Sequence, residues 1–364
     1  MSSESLMRAD DSEAIGFLTH AEIFQQPDLW PDTLERVERF LDRGDPLPSD
    51  NRSVITGAGS SAYAALAIEA ALPGARAVPS TDLVTDVKTY FEPQGVLVSL
   101  ARSGNSPESV AAINRVRRFY PQVRHLAITC NAEGRLAQDP AVTAIVLDPR
   151  TNDRSLAMTS SFSNMVLAGL CLRRADEIAR VLPGICARVK ENLADLEARA
   201  QAIARDGVTR VVVLAPAPLM GWAHEASLKI LEMSAGRIPV LAETHLGLRH
   251  GPMSFLRPET LVVSVMSSDT LRRRYEKDLL ADLRVKKLGR IVGITANEAN
   301  SDLYDQTVPA MAPELSDDLR TPFEIVFPQL LAYHLSLHEN LNPDNPSPGG
   351  VITRVVQGVR IYED

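Results

Sequence analysis

The sequence predicts an α/β protein of two tandem doubly wound parallel-sheet domains, with a helical segment before them and an arm after them. Three observations predict it. Short β-branched apolar runs alternate with helical stretches, the strand–helix order of a parallel sheet. That alternation passes through a long charged helix and then starts over. The 364 residues also exceed what one core of ordinary size serves. The expected division is a helical segment over 1–46, a first domain over 47–200, and a second over 201–364 that includes the arm.

From about Asp11 to Asp42, Ile15, Leu18 and Ile23, then Leu34, Val37, Phe40 and Leu41, recur at three- and four-residue steps interrupted by Pro27 and Pro31. Pro46, Pro48 and Ser49 mark a linker. Ser53–Leu72 reads as a strand, a small-residue turn and an alanine-rich helix, an arrangement that aims backbone N–H groups at an anion. Ser60 and Ser61 at that helix start also suit plain N-caps. The pattern repeats in GVLVSL, ARSGNSPES and VAAINRVRRF, where Arg102, Ser103, Ser106 and Ser109 gather around Gly104 and Pro107 suits the first helical position. HLAITC and AVTAIVL read as further strands, and Thr159, Ser160 and Ser161 again bring hydroxyls to a helix start. Three such turns on one sheet would converge on its carboxyl edge, where open α/β sheets bind ligands. Neither glycine turn carries the Walker lysine, and GAGSSA ends on Ala62 where G-x-G-x-x-G needs glycine. A phosphomonoester therefore fits better than a nucleotide.

A charged, alanine-rich helix over Cys186–Arg205 is the expected connector. RVVVLAPA, TLVVSVMS and GRIVGIT are the next strands, with helices between them. The tail, 342–364, is rich in proline and glycine and is expected to wrap the surface as an arm ending in a β-like run.

The helix after RVVVLAPA carries the main candidate. Glu225, Lys229 and Glu232 are spaced i, i+4, i+7, which puts them on one stripe about 60° wide. Such a stripe is also what a solvated face with an ordinary i,i+4 pair looks like. Ala223, Ala226, Leu228, Ile230, Leu231 and Met233 leave few positions for a wet face, however, and buried carboxylates need a reason. Eighteen residues past Glu232, His250 precedes Gly251-Pro252, a pair that cannot continue a helix, so it is expected on a loop. His245 competes with His250 as a mobile acid, and His224 is adjacent to the stripe but about 100° round the helix, where a structural role is expected. His334 and His338 at i,i+4 have no third ligand nearby, so a packed or solvated helix face is expected rather than a metal pair.

Composition narrows the function. With 45% hydrophobic and 23% charged residues this is an ordinary globular composition. No apolar run reaches a membrane span, and the acidic N-terminus carries no signal-peptide pattern, so a cytoplasmic protein is expected. Cys130, Cys171 and Cys186 share no metal-binding spacing and are expected to be buried free thiols. A net charge of −8 with no basic run argues against nucleic acid as a partner but not against a small anionic substrate.

SARSGNSPES together with HEASLKILE and RHGPMSF resembles the sugar isomerase (SIS) domain proteins. EIFQQPDLW, GAGSSA, ITCN, TNDRSLAMTSSF, LGLRHGP and RRRYEKDLLADL extend the likeness over most of the chain, to the subgroup called AgaS-type galactosamine-6-phosphate deaminases, also labelled tagatose-6-phosphate ketose/aldose isomerases. The resemblance implies a pair of SIS domains, each a five-stranded parallel, flavodoxin-like sheet flanked by helices. It is similar also to the isomerase domain of glucosamine-6-phosphate synthase, and that likeness implies roles. Ser61, Arg102, Ser103 and Ser106, with Ser60, Thr159 and Ser160 nearby, would bind the sugar phosphate. Glu225, Lys229 and Glu232 would form the catalytic set, and His250, donated by the neighbouring subunit of a homodimer, would open the sugar ring. No metal or organic cofactor is implied. Three departures stand out: Gln357 lies where the synthase has a catalytic lysine, Ala215-Pro216-Ala217-Pro218 replaces a glycine-rich turn, and Arg102 replaces a glutamine.

The expected reaction is deamination and isomerisation of an amino-hexose 6-phosphate, galactosamine 6-phosphate by preference. A non-deaminating ketose/aldose isomerase, a glucosamine-6-phosphate deaminase and a sugar-phosphate-sensing module are the alternatives. The sensor reading predicts a fused DNA-binding segment or a lost catalytic carboxylate, and Glu232 and His250 are both present.

Overall fold

The structure, a computed structural model, describes residues 16–50, 52–91, 95–296, 302–356 and 358–362. The expectations for Asp11–Ile15 and Gln357 lie outside the described residues. The described residues begin with two helices, α1 (Leu18–Phe24) and α2 (Gln26–Leu41). Pro27 sits in the first turn of α2 and Pro31 within it, so the prolines do not split the helix as expected.

The first sheet comprises β1 (Ser53–Gly57), β2 (Ala75–Pro79), β3 (Val96–Ala101), β4 (Arg124–Thr129) and β5 (Val142–Val146), all parallel in the order β2-β1-β3-β4-β5. Helices α3 (Ser60–Ala71) and α4 (Pro107–Phe119) follow β1 and β3. The long helix α5 (Ser160–Arg205) then leads to the second sheet. Sequence patterning expected a helix entered at Thr159–Ser161 and a separate connector over Cys186–Arg205. They are continuous, bent at Arg174, whose φ of −121° and ψ of 24° leave the helical region for a single residue.

The second sheet repeats the first. Strands β6 (Val211–Ala215), β7 (Val240–Thr244), β8 (Leu261–Val265), β9 (Arg290–Thr295) and β10 (Gln306–Pro309) are parallel in the order β10-β9-β8-β6-β7. Helix α6 (Met220–Met233) follows β6, α7 (Thr270–Lys286) follows β8, and α8 (Asp317–Glu324) and α9 (Val326–His338) complete the set. Beyond it the arm is irregular apart from a single turn at Pro348–Gly350, so the β-like run expected at its end does not form among the described residues.

One apolar core joins the two sheets. Ile55 and Val98 of the first sheet and Val213 and Val263 of the second belong to the same cluster, through α3, α5, α6 and α9. Separate cores cover the outer faces, Leu97 with Ile113 on one side and Val262 with Leu280 on the other. Strands covered on both faces are apolar throughout, which is why β1, β3, β6 and β8 show as continuous hydrophobic runs. Helix α2 docks on α5, with Trp30 Nε1 donating to Ser163 Oγ (3.2 Å) and Thr33 Oγ1 to Asn164 Oδ1 (2.6 Å). Cys130, Cys171 and Cys186 are buried free thiols, as expected. No helix among the described residues is long and apolar enough to cross a membrane.

The contact that matters most is between α3 and α6. A Cβ added at Gly221 would stand 2.6 Å from the Ala67 backbone nitrogen and 2.8 Å from its Cα, so the helices meet backbone to backbone there. Gly221→Ala should push them apart. A net loss of about 1–2 kcal/mol is expected in urea unfolding, because the overlap outweighs the helix-propensity gain of alanine.

Candidate active site

The antiparallel run of α3 and α6 positions the stripe. Eight residues along α6 from Gly221, Lys229 Nζ donates to Ser60 Oγ at 3.1 Å, seven residues back along α3 from Ala67. At 1.5 Å per residue these are rises of about 12 and 10 Å, so one close contact sets the register of the other. Lys229 and Glu225 are completely buried, and Glu232 keeps 31% of its side chain exposed. Lys229 Nζ donates to Glu232 Oε2 at 2.6 Å and stands 3.3 Å from Glu225 Oε1. Neither oxygen of Glu225 has an aligned hydrogen-bond donor among the described residues; the Ser60 hydroxyl lies near without that alignment. The expected stripe is therefore real, and it is bonded to the first domain's glycine turn.

Burial sets the charges. Desolvation pushes the Glu225 carboxyl up to about 7, against the pull of Lys229. Desolvation opposes the charge on Lys229, but Glu225 and Glu232 outweigh it and hold the ammonium above its usual range. Tyr63, one turn after Ser60, stacks on His224 with centroids 5.3 Å apart, and burial beside Glu225 and Glu232 raises its phenol. Sequence reasoning missed this residue, which showed only as an aromatic among alanines.

The glycine turn has a steric logic. Gly59 has φ +57° and ψ −130°, and a Cβ at Gly57 would lie 2.5 Å from that of Ser61. Gly59 is the residue before the helix, so Ser60 and Ser61 do not serve as N-caps. Ser61 is a buried residue whose hydroxyl has no protein partner among the described residues and is not itself sealed from solvent. The second loop is braced from below: Asn131 Nδ2 donates to Ser103 O (2.9 Å), and the backbone N–H of Arg135 donates to Asn105 Oδ1 (3.0 Å). Ser103 Oγ accepts from the Asn105 N–H (3.2 Å), leaving its own proton to give. Ser106 precedes Pro107 at the start of α4, and its hydroxyl has no protein partner among the described residues. Ser61, Ser103 and Ser106 thus offer free donors beside two helix N-termini.

The other expected phosphate ligands are engaged elsewhere. Arg102 donates to the carbonyls of Ser155 (3.2 Å), Leu156 (3.1 Å) and Arg354 (2.7 Å), so it ties the arm to the sheet edge. The N-terminus of α5 already holds an anion, the carboxylate of Asp153. It accepts from the N–H groups of Thr159 (2.8 Å), Ser160 (3.0 Å) and Ser161 (2.9 Å) and from the hydroxyls of Thr159 and Ser161. Ser160 Oγ donates to the Glu22 carbonyl and accepts from Gln25 Nε2 (2.9 Å). Thr159 and Ser160 therefore have no donor left for a substrate, contrary to the expectation for that turn.

His250 is exposed, on the loop that follows β7. Thr244 pairs with Ala215 in the sheet, at the end where α6 begins, whereas Glu232 lies twelve residues further along α6, about 18 Å at helical rise. His245, its rival, is buried with Nε2 2.8 Å from Ser264 Oγ. His334 is buried 3.4 Å from Glu197, which His20 also contacts at 2.9 Å, so it belongs to a packed face.

Residues 47–172 match the model of the SIS domain. The chain is 38% identical to an AgaS protein of Streptomyces coelicolor, over 94% of this chain and 95% of that one. It is 34% identical to the D-galactosamine-6-phosphate deaminase AgaS of a Shewanella species, over 99% and 96%. A solved structure of a tagatose-6-phosphate ketose/aldose isomerase from Escherichia coli superposes with a TM-score of 0.81 at 31% identity, over 98% of this chain and all of that one. Sheet topology, the paired loops and these likenesses agree: the chain belongs to the AgaS family of SIS-domain proteins.

Proposed function

We propose that this protein converts an amino-hexose 6-phosphate, galactosamine 6-phosphate in preference, to tagatose 6-phosphate and ammonia. One observation carries the reading: a buried lysine joins a half-exposed carboxylate, Glu232, to the turn that opens the sheet edge where Ser61, Ser103 and Ser106 offer donors for a phosphate ester. The deaminase names of the relatives supply the substrate class. Glu232 takes the C2 proton of the open-chain sugar and returns one to C1 through an enol-amine, work for a carboxylate that is held but not sealed away. The resulting C2 ketimine takes up water and releases ammonia, which leaves the ketose. Lys229 fixes Glu232 and, with Glu225, sets the charge of the site as oxygen charge develops on the substrate.

Ring opening falls to His250. The strand that leads to its loop ends beside the start of α6, twelve residues from Glu232, which supports a homodimer in which each chain lends His250 to its neighbour's site. A second reading, isomerisation without loss of nitrogen, has support in the isomerase name of the Escherichia coli structure and uses the same base.

Purified protein offered galactosamine 6-phosphate and glucosamine 6-phosphate should release ammonia and ketose 6-phosphate in equal amounts, faster from the galacto sugar. Ketose formation from a neutral aldose phosphate with no ammonia from either amino sugar would favour the isomerase instead. Glu232→Gln should lower kcat by about 10²- to 10⁴-fold while phosphate-ester binding persists. A second outcome concerns stability. Folded Glu225 holds a proton up to pH about 7 against 4.5 in the unfolded chain, so its contribution is complete below pH 4.5 and declines as pH rises through 7. That loss, about 3 kcal/mol by linkage, should be absent from urea midpoints of Glu225→Gln measured across the same range.

A further inference from the structure

The loop that carries His250 is fastened to α7 by two contacts. At the surface, Arg249 Nη2 donates to Asp278 at 2.9 Å. Beneath it, His245 and Glu276 face each other with side chains 2% and 4% exposed. His245 Nδ1 and Glu276 Oε1 are 3.9 Å apart, and neither has a hydrogen-bond partner among the described residues. Two unpartnered buried polar atoms aimed at one another need an explanation.

Their other ends are spoken for. Glu276 Oε2 accepts from the Ser267 N–H at 2.8 Å, and His245 Nε2 lies 2.8 Å from Ser264 Oγ. Met266 Sδ, 3.6 Å from Ser264 Oγ, gives that hydroxyl a second partner, so Ser264 can donate to the sulfur while it accepts from Nε2–H, the tautomer in which Nδ1 presents a lone pair. An ionised carboxylate would then oppose a lone pair, whereas a single proton on Oε1 turns the pair into donor and acceptor. Burial favours that state. Desolvation, with Asp317 adding to it, pushes the Glu276 carboxyl up to about 7 against Arg273 and Arg320, and burial pushes His245 down to about 3. The Ala215 carbonyl also faces the imidazole, and the Tyr304 phenol feels the Glu276 charge.

We infer that His245 and Glu276, joined by one proton between Oε1 and Nδ1, are positioning residues that lock the loop Thr244–Phe255 onto α7 and so fix where His250 stands. The inference rests on the reading of His250 as the ring-opening group. Glutamine at 276 can donate an N–H to Nδ1 at any pH, whereas alanine leaves Nδ1 unpaired.

Glu276→Ala, Glu276→Gln, His250→Ala and the double variant Glu276→Ala/His250→Ala are compared for ammonia release from galactosamine 6-phosphate, with thermal melting to follow folding. Glu276→Ala should lower kcat about 10- to 100-fold with KM little changed, since the phosphate loops are untouched. Glu276→Gln should restore kcat to within about threefold and abolish the decline that the wild type shows as pH rises through 7, a readout that serves even if the alanine variant does not fold. His250→Ala keeps the turnover that spontaneous ring opening allows, and adding Glu276→Ala to it should cost nothing more. Equal losses from Glu276→Ala in both backgrounds, or a Glu276→Gln pH profile identical to the wild type, would overturn the inference while leaving the role of His250 intact. Full activity in His250→Ala would instead remove the reading of His250, and the inference with it.

Discussion

A lysine ammonium sealed between two domains is the constraint on which the rest of the structure depends. Burying a charge costs several kcal/mol unless partners surround it; Glu225 and Glu232 come to Lys229 along its own helix, and Ser60 joins them only while α3 and α6 hold their backbone contact at Gly221 and Ala67. The shared core between the sheets supplies the adhesion, but it is indifferent to register. The ammonium is not: Glu225 and Glu232 ride on its own helix, but a shift of one helical turn would take Ser60 away from it and leave a buried donor unmatched. Lys229 thus couples the placement of the carboxylate Glu232 to the glycine turn at Gly57–Ser61.

The distribution of anions follows from the same economy of buried charge. The fold offers several strand-to-helix turns able to hold an anion, and the chain fills some of them itself. Asp153 occupies the N-terminus of α5. In the second sheet, the loop after β8 corresponds to the loop after β3, and there Asp317 accepts from the Ser268 N–H (2.7 Å), the Ser268 hydroxyl (2.9 Å) and Arg320 (3.2 Å). The turns at Gly57–Ser61 and Arg102–Ser106 keep donors unclaimed. Among the described residues those unclaimed donors stand on the edge of the first sheet, the edge that Lys229 and Glu232 adjoin.

Much of this was legible in the sequence because it is local and periodic. The i, i+4, i+7 stripe is a property of helical pitch, and central strands covered on both faces declare themselves as apolar runs. The edge strands β2, β7 and β10 escaped such a reading. Ala75–Pro79, Val240–Thr244 and Gln306–Pro309 are half-exposed and carry no continuous apolar run, so only the family likeness implied five strands per sheet. Hydroxyl-rich turns were legible as anion sites, but which anion takes them was not. Thr159 and Ser160 lost out to Asp153 six residues earlier, and Arg102 to carbonyls as distant as Arg354, outcomes of tertiary competition that spacing does not encode. The continuity of α5 was missed because Pro183-Gly184, just before Cys186, read as a helix breaker, whereas the helix runs through Pro183 and bends instead at Arg174.

The most direct test of the account is complementation between two impaired chains. The account holds that Glu232 and the His250 that serves it come from different copies, so Glu232→Ala and His250→Ala proteins, each impaired alone, should regain turnover when unfolded together and refolded. Random pairing into a dimer with two sites would return up to about a quarter of wild-type specific activity. Refolded mixtures that bind sugar phosphate yet show no more than the averaged activity of the two variants would contradict the shared site.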